Sequence, residues 1–362
     1  METQHAPLTL REILRQPETW RQAIRVVGGL SARAKALVKE AKPDVYLFTG
    51  CGTSYYLSIA AAGLFQECTG LPARAVPASE LILSAETHLP VGQKGALIAF
   101  SRSGETTETI VALRQHMARQ CGPGIAVTCR MHSAMEDSAD LTVALPAADD
   151  RSVVMTSSFT SMLLAAQVLS AYLGPNDSLL AGLQALPGRL QEQLERQRAF
   201  AEALGRDRSH QQFIYLGIGP FFGLGSEGML KMKEMTQVPS ETYSPLEFRH
   251  GPMSIVRQGT LAVLLSSDRA SRQELDVLRD IRSLGGRTLR IGAEAEAGGA
   301  DLRFAVGGDL AESLRGLLYM PLLQMTAYYR AMELGLDPDR PQHLTRVVVL
   351  SEESLLGECC RI

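Results

Sequence analysis

Apolar, strand-like runs in this 362-residue chain occur twice, at nearly the same offset, and this duplication limits the possible folds more than any other feature. Val45-Tyr-Leu-Phe-Thr-Gly-Cys-Gly52 is echoed by Phe213-Ile-Tyr-Leu-Gly217-Ile-Gly219, and Gly95–Ser101 by Gly259–Ser266. Further on, Gly124–Thr128 pairs with Gly286–Arg290, and Leu141–Leu145 with Leu302–Val306. Helical patterns lie between them, as over Thr106–Arg119 and Ser271–Ser283. Strands alternating with helices imply a parallel sheet with right-handed crossovers. The expected class is therefore α/β, with two tandem doubly wound parallel sheets. The expected domains are a helical segment over 1–34, a first unit over 35–180, a helical connector over 181–210, a second unit over 211–345 and a tail over 346–362. Within these, Thr9–Ile24 reads as a helix packed outside the first sheet, and Pro175–Arg208 as helical connection.

Length and composition suit two globular domains with substantial cores: 45% of residues are hydrophobic and 21% charged. A net charge of −3 with no basic block argues against nucleic acid as a partner. The six cysteines (Cys51, Cys68, Cys121, Cys129, Cys359 and Cys360) show no CxxC and no metal-ligand spacing with histidine. They read as reduced thiols, so no metal site and a cytoplasmic location are expected. Charge from Glu2 onward argues against a signal peptide. Ser152–Gly174 carries no charge and is long enough to span a bilayer, but its many Ser and Thr and its Gln167 make it read as a buried helix crossing between units. No membrane association is expected.

Two loops follow strand-like runs and lead into helical periodicity: Gly50-Cys51-Gly52-Thr53-Ser54 and Ser101-Arg102-Ser103-Gly104-Glu105-Thr106. A helix start presents unpaired N–H groups and partial positive charge, glycine lets an anion approach, and hydroxyls add neutral donors. The first loop fits a phosphate cradle and equally a tight turn with a Ser N-cap, since it lacks both the third glycine of a dinucleotide fingerprint and the lysine of a P-loop. The second loop, with three hydroxyls and an arginine, moves the reading towards phosphate. Such loops lie at the carboxyl ends of strands, where doubly wound sheets bind ligands. The second copy lacks this cradle. It carries instead Ser226–Glu241 and then Glu247-Phe-Arg-His-Gly-Pro252, so phosphate binding in copy one and chemistry in copy two is the simple division.

Glu227, Leu230 and Glu234 fall on one helical face, with Met229, Met232 and Lys233 pointing elsewhere. Burial in a pocket would give such a carboxylate the pKa of a useful base. The same face also suits a solvated helix whose carboxylates pair with Lys231, Lys233 or Arg249, and composition alone favours that second reading. His250 lies in a turn and can exchange protons near neutral pH or merely hydrogen-bond its loop. Arg249 beside it could steer an anion or pair with Glu247.

Gly-Cys-Gly-Thr-Ser, Ser-x-Ser-Gly-Glu-Thr, Glu-Gly-x-Leu-Lys-x-Lys-Glu and Arg-His-Gly-Pro occur in this order, followed by Asp337-Pro-Asp-Arg-Pro-Gln-His-Leu344. Together they resemble the double sugar-isomerase (SIS) domain family, most closely the isomerase half of glucosamine-6-phosphate synthase and its stand-alone relatives. The resemblance runs from about Leu10 to Val348. It implies flavodoxin-like SIS domains and a bound phosphosugar, with the phosphate held by the first loop (Gly52, Thr53, Ser54) and by Ser101, Ser103 and Thr106. It implies that Glu234 moves a proton between C1 and C2 of the open-chain sugar, with no metal or organic cofactor. Glu227 lies on the same family helix with a less defined role. His250 would assist ring opening from the partner subunit, which implies a homodimer with shared active sites. Leu314–Tyr329 offers a long apolar helix for that pairing, or for a core within the chain.

Departures from the synthase narrow the expectation. The chain has neither a counterpart of the glutaminase domain nor a cysteine at position 2, so release of ammonia from glutamine is not expected of it. Alignment on Pro341 and Leu344 puts Arg346 where the synthase has a lysine that meets the sugar carbonyl. Arginine stays protonated and forms no Schiff base. Arg102 replaces a glutamine, and its guanidinium could grip phosphate or a second anionic group. The expected function is aldose–ketose isomerisation of a hexose or amino-hexose 6-phosphate, with or without deamination. The alternatives are a deglycase of phosphorylated sugar–amino-acid adducts and a non-catalytic sugar-phosphate sensor. The pairing of Glu234 with His250 and the lack of a basic recognition helix weigh against a DNA-acting sensor.

Overall fold

The structure, a computed structural model, describes residues 7–293, 299–351 and 355, so Cys359 and Cys360 lie outside the described residues. It divides into two compact units. The first-sheet unit comprises Arg15–Arg151, Ser157–Pro187 and Thr345–Ile362, and the second-sheet unit Met1–Leu14, Ser152–Thr156 and Gly188–Leu344.

Helix α1 (Leu8–Leu14) belongs to the second-sheet unit. Its first N–H groups have no intrahelical partners, and Asp339 meets them: the N–H groups of Leu8 and Thr9 donate to its carboxylate at 2.8 and 2.7 Å. The helix expected over Thr9–Ile24 is thus two helices. The second, α2 (Gln16–Ala41), opens with Pro17 in its first turn and lies in the first-sheet unit.

In the first-sheet unit, β1 (Val45–Gly50) leads into α3 (Thr53–Thr69), followed by β2 (Ala73–Pro77) and the short α4 (Ala78–Leu83) and α5 (Ala85–His88). Next come β3 (Gly95–Ser101), α6 (Thr107–Ala118), β4 (Gly124–Thr128) and β5 (Leu141–Ala144). The sheet is parallel throughout, in the flavodoxin-like order β2-β1-β3-β4-β5. β1, β3 and β4 are buried along their whole length, as strands covered on both faces must be. Helix α7 (Ser157–Leu173) is the charge-free segment, buried as expected. It packs within this unit rather than crossing between units: Trp20 on α2 donates its indole N–H to Thr160 Oγ1 at 2.9 Å.

The two units divide inside α8 (Asp177–Arg206), at its internal Pro187. The second-sheet unit continues with β6 (Gln212–Leu216), α9 (Pro220–Thr236), β7 (Ser240–Tyr243), α10 (Pro245–Phe248), β8 (Thr260–Leu265), α11 (Ser271–Ser283), β9 (Arg287–Gly292), β10 (Leu302–Ala305) and α12 (Glu312–Glu333). Its parallel order, β7-β6-β8-β9-β10, repeats the first sheet strand for strand. The turns repeat as well. Gly52 (φ 53°, ψ −123°) before α3 and Gly219 (φ 53°, ψ −129°) before α9 share a backbone shape that a side chain would strain. Helix α12 is buried from Leu314 to Ala331 by its own chain. It therefore supplies core within the chain and no free face for a second copy, which removes the argument for a dimer drawn from its apolarity. Among the described residues no helix is long and apolar enough to cross a membrane.

Candidate functional site

In the first-sheet unit both loops lie at the switch point, after the adjacent strands β1 and β3. The turn before α3 is not a Ser N-cap: the N-cap is Gly52, and no side chain caps the helix. Nor does a side chain cap α6, whose N-cap is Thr106. Two helix starts thus bring N–H donors and partial positive charge to one end of the sheet. Thr53, Ser54, Ser101 and Ser103 are buried there. Ser101 Oγ lies 3.0 Å from Thr106 Oγ1 and 3.4 Å from Ser103 Oγ. The N–H groups of Gly104 and Glu105 donate to Ser101 Oγ and Ser103 Oγ, both at 3.1 Å. Gly104 has φ 66°, and a β-carbon on it would meet Ser133 Oγ at 2.3 Å, so only glycine closes this loop.

Arg102 and Arg346 come together in this unit, though not as two open forks. Arg102 is 5% exposed and donates to the backbone carbonyl of Arg346 at 2.7 Å. Burial lowers its pKa, the charge of Asp150 opposes that shift, and nearby Arg346 reinforces it. The Arg346 guanidinium is held by Asp149 and donates through Nε to the Asp150 carbonyl at 3.1 Å. The same segment is tied at Leu350, whose N–H donates to Thr107 Oγ1 at 2.9 Å. Asp149 and Asp150 were not legible as site residues. Asp150 is fully buried and accepts from the N–H of Ser158 at 2.9 Å, from its hydroxyl at 2.6 Å and from Arg15 at 3.3 Å, which caps the start of α7.

In the second-sheet unit the acidic helix is α9. Glu227 and Lys231 are fully buried, and the Glu234 side chain is 19% exposed. Lys231 Nζ lies 3.4 Å from Glu227 Oε1 and also pairs with Glu234. The carboxylates do pair with a lysine, but inside the protein and not on a solvated face. Burial would lower the pKa of Lys231, and the two carboxylates outweigh it, so the ammonium is held charged. Lys231 is the residue that sequence reasoning left out of the site. Its i+4 and i+3 spacings from Glu227 and to Glu234 were the signal. Lys233 is exposed, and Arg249 pairs with Asp280 at 2.6 Å instead of Glu247. His250 is exposed in the turn after α10, its N–H donating to the Glu247 carbonyl at 2.9 Å.

The second sheet also has a loop at the position of the hydroxyl cradle, and there a carboxylate fills it. Glu274, 1% exposed in the first turn of α11, accepts from Ser266 Oγ at 3.1 Å, Ser267 N–H at 3.0 Å and Ser267 Oγ at 2.9 Å. Burial raises its pKa and these hydrogen bonds work against the rise.

Comparison with known proteins matches the two-sheet fold. The SIS domain model matches residues 41–171 and 208–297. The glutamine–fructose-6-phosphate aminotransferase (isomerizing) of Methanothermobacter thermautotrophicus is 28% identical over 307 residues, which is 84% of this chain and 51% of that protein. The Clostridium acetobutylicum protein of the same name is 26% identical over 361 residues, or 94% and 58%. The chain thus spans about half the length of the curated relatives it matches. Among solved structures, glucosamine-6-phosphate deaminase from Thermotoga maritima superposes with a TM-score of 0.75 at 27% identity, covering 94% of this chain and 99% of that one. The C-terminal domain of glucosamine-fructose-6-phosphate aminotransferase from Francisella tularensis gives 0.85 at 21% identity, covering 94% and 100%, a likeness of fold alone.

Proposed function

The chain belongs to the SIS domain family, and on that premise we propose that it is a phosphosugar isomerase acting on a hexose or amino-hexose 6-phosphate. One arrangement carries the reading: Glu234 is the partly exposed end of a row whose other members, Lys231 and Glu227, are fully buried. The Lys231 ammonium, itself held charged, orients the Glu234 carboxylate, which acts as the base. Glu234 takes the proton from C2 of the open-chain aldose and the charge passes to O1 as an enediolate forms. The hydroxyl proton moves from O2 to O1, and return of the carbon-bound proton from Glu234 to C1, as C2 and O2 become the carbonyl, gives the ketose. An amino group on C2 makes the same shift yield an imine, and water then releases ammonia. The likeness to a glucosamine-6-phosphate deaminase supports that branch.

The roles of the remaining residues follow. Thr53, Ser54, Ser101, Ser103 and Thr106, with the Gly52 turn, hold the phosphate, whose binding supplies energy remote from the reacting carbons. Arg102 and Arg346 order the segment beside this cradle. Arg346, ion-paired with Asp149, takes no covalent part. His250, exposed in its own chain, assists ring opening in a homodimer. A single monomeric boundary in sedimentation at assay concentration contradicts that pairing. The function is tested with a panel of hexose and amino-hexose 6-phosphates. Wild type interconverts one aldose–ketose pair, and Glu234→Gln binds the same sugar but loses roughly 10²–10⁴-fold in rate. Binding without turnover across the whole panel contradicts the enzyme and leaves a sensor.

A further inference from the structure

The first-sheet unit contains a cavity of about 250 Å³ between the sheet and helices α4, α5 and α6. Leu47, Leu81, Leu97 and Ala112 give it apolar walls. It lies towards the C-terminal end of α6, whereas the hydroxyl cradle meets the N-terminal end of that helix. Two of the residues that line it carry a buried side-chain atom without a hydrogen-bond partner, His116 Nε2 and Gln115 Oε1. His116 is 7% exposed. A buried acceptor left unmatched costs about 1–3 kcal/mol, so the unmatched His116 Nε2 points to a ligand that donates to it. The volume exceeds the roughly 150 Å³ that admits benzene into an apolar interior.

We propose that this cavity binds a neutral fused-ring heterocycle, whose ring fills the apolar walls and whose N–H donates to His116 Nε2. Burial lowers the pKa of His116, against backbone hydrogen bonds to Gly95 and Gly122, so the imidazole stays neutral and can accept. A fixed charge in the ligand is excluded, because the inner walls offer no counter-ion. Glu86 and Arg119, both exposed, pair with each other.

Indole and indene, the same shape with and without the N–H, are the probes. Indole is expected to bind wild type and to shift the ¹⁵N resonance of His116 Nε2. Indene is expected to bind about tenfold more weakly, the worth of one hydrogen bond. His116→Leu should erase the preference, and Ala85→Leu, which fills the cavity from α5, should remove indole binding. If His116→Leu fails to fold, the wild-type resonance and Ala85→Leu still decide. No indole binding up to its solubility limit, equal affinities for the two probes, or binding that leaves the His116 resonance unmoved would overturn the proposal.

Discussion

The guanidinium of Arg102 donates to the backbone carbonyl of Arg346 at 2.7 Å, which ties the chain beyond Thr345 to the loop that carries Ser101 and Ser103. With Leu350 held by Thr107, the segment is fastened at both ends. Arg102→Gln shortens the side chain and removes the charge. We expect faster amide exchange at Leu350 and about a tenfold loss of affinity for the sugar phosphate, the worth of one hydrogen bond from a charged group. Hydrogen exchange and a binding titration check the two effects. Unchanged affinity would show that Arg102 neither touches the ligand nor orders what does.

Lys231 is the hub of a buried row. Lys231→Met keeps the length of the side chain and leaves Glu227 buried without its cation. Urea unfolding should show a loss of about 3–5 kcal/mol, the usual result of removing one partner from a buried pair. Adding Glu227→Gln should restore part of that loss, since the uncompensated charge goes with it. Additive losses in the double variant would show that the two side chains do not act as a pair.

Glu274 occupies the second sheet's version of the cradle. Glu274→Ala leaves Ser266 and Ser267 with donors and no acceptor. Inorganic phosphate should then raise the melting temperature of this variant by more than it raises that of wild type, because an anion that binds only the native state stabilises it. Equal shifts would mean that the carboxylate holds no latent anion site.

Two buried histidines, His116 and His210, set the acid side of stability. Burial lowers both pKa values below the ordinary 6.5, and Asp207 opposes the shift at His210. The unfolded chain therefore binds protons at these positions before the folded one does. Their contribution is whole above 6.5 and falls away as pH drops from there towards the folded values. Urea unfolding between about pH 7 and pH 5 should lose stability in wild type, and His116→Gln with His210→Gln should flatten that slope. A slope unchanged in the double variant would assign it to other groups.

The duplication was readable because a parallel strand buried on both faces must be mostly apolar, as Val45–Gly50 and Thr260–Leu265 are. The edge strands β2 and β7 escaped notice. Ala73–Pro77 is mostly half-buried and holds an arginine and a proline, and Ser240–Tyr243 is mostly polar. The loops were legible through glycine and hydroxyl spacing, since backbone shape at Gly52 and Gly104 demands those residues. Pairings distant in sequence were not. Nothing local tells that Arg102 reaches Arg346, or that Arg249 prefers Asp280 to Glu247 two residues away. The plug at Ser266 and Ser267 was read only as a missing cradle, because a glutamate in the first turn of a helix is common there whether or not it turns inward.

Proton transfer by Glu234 is tested most directly by solvent label. The chain is incubated in heavy water with glucosamine 6-phosphate or fructose 6-phosphate, and deuterium is read at C2 of the first or C1 of the second. Wild type should wash label into one of these positions, and Glu234→Gln, still binding the sugar, should not. Exchange or conversion that persists in Glu234→Gln would contradict the account.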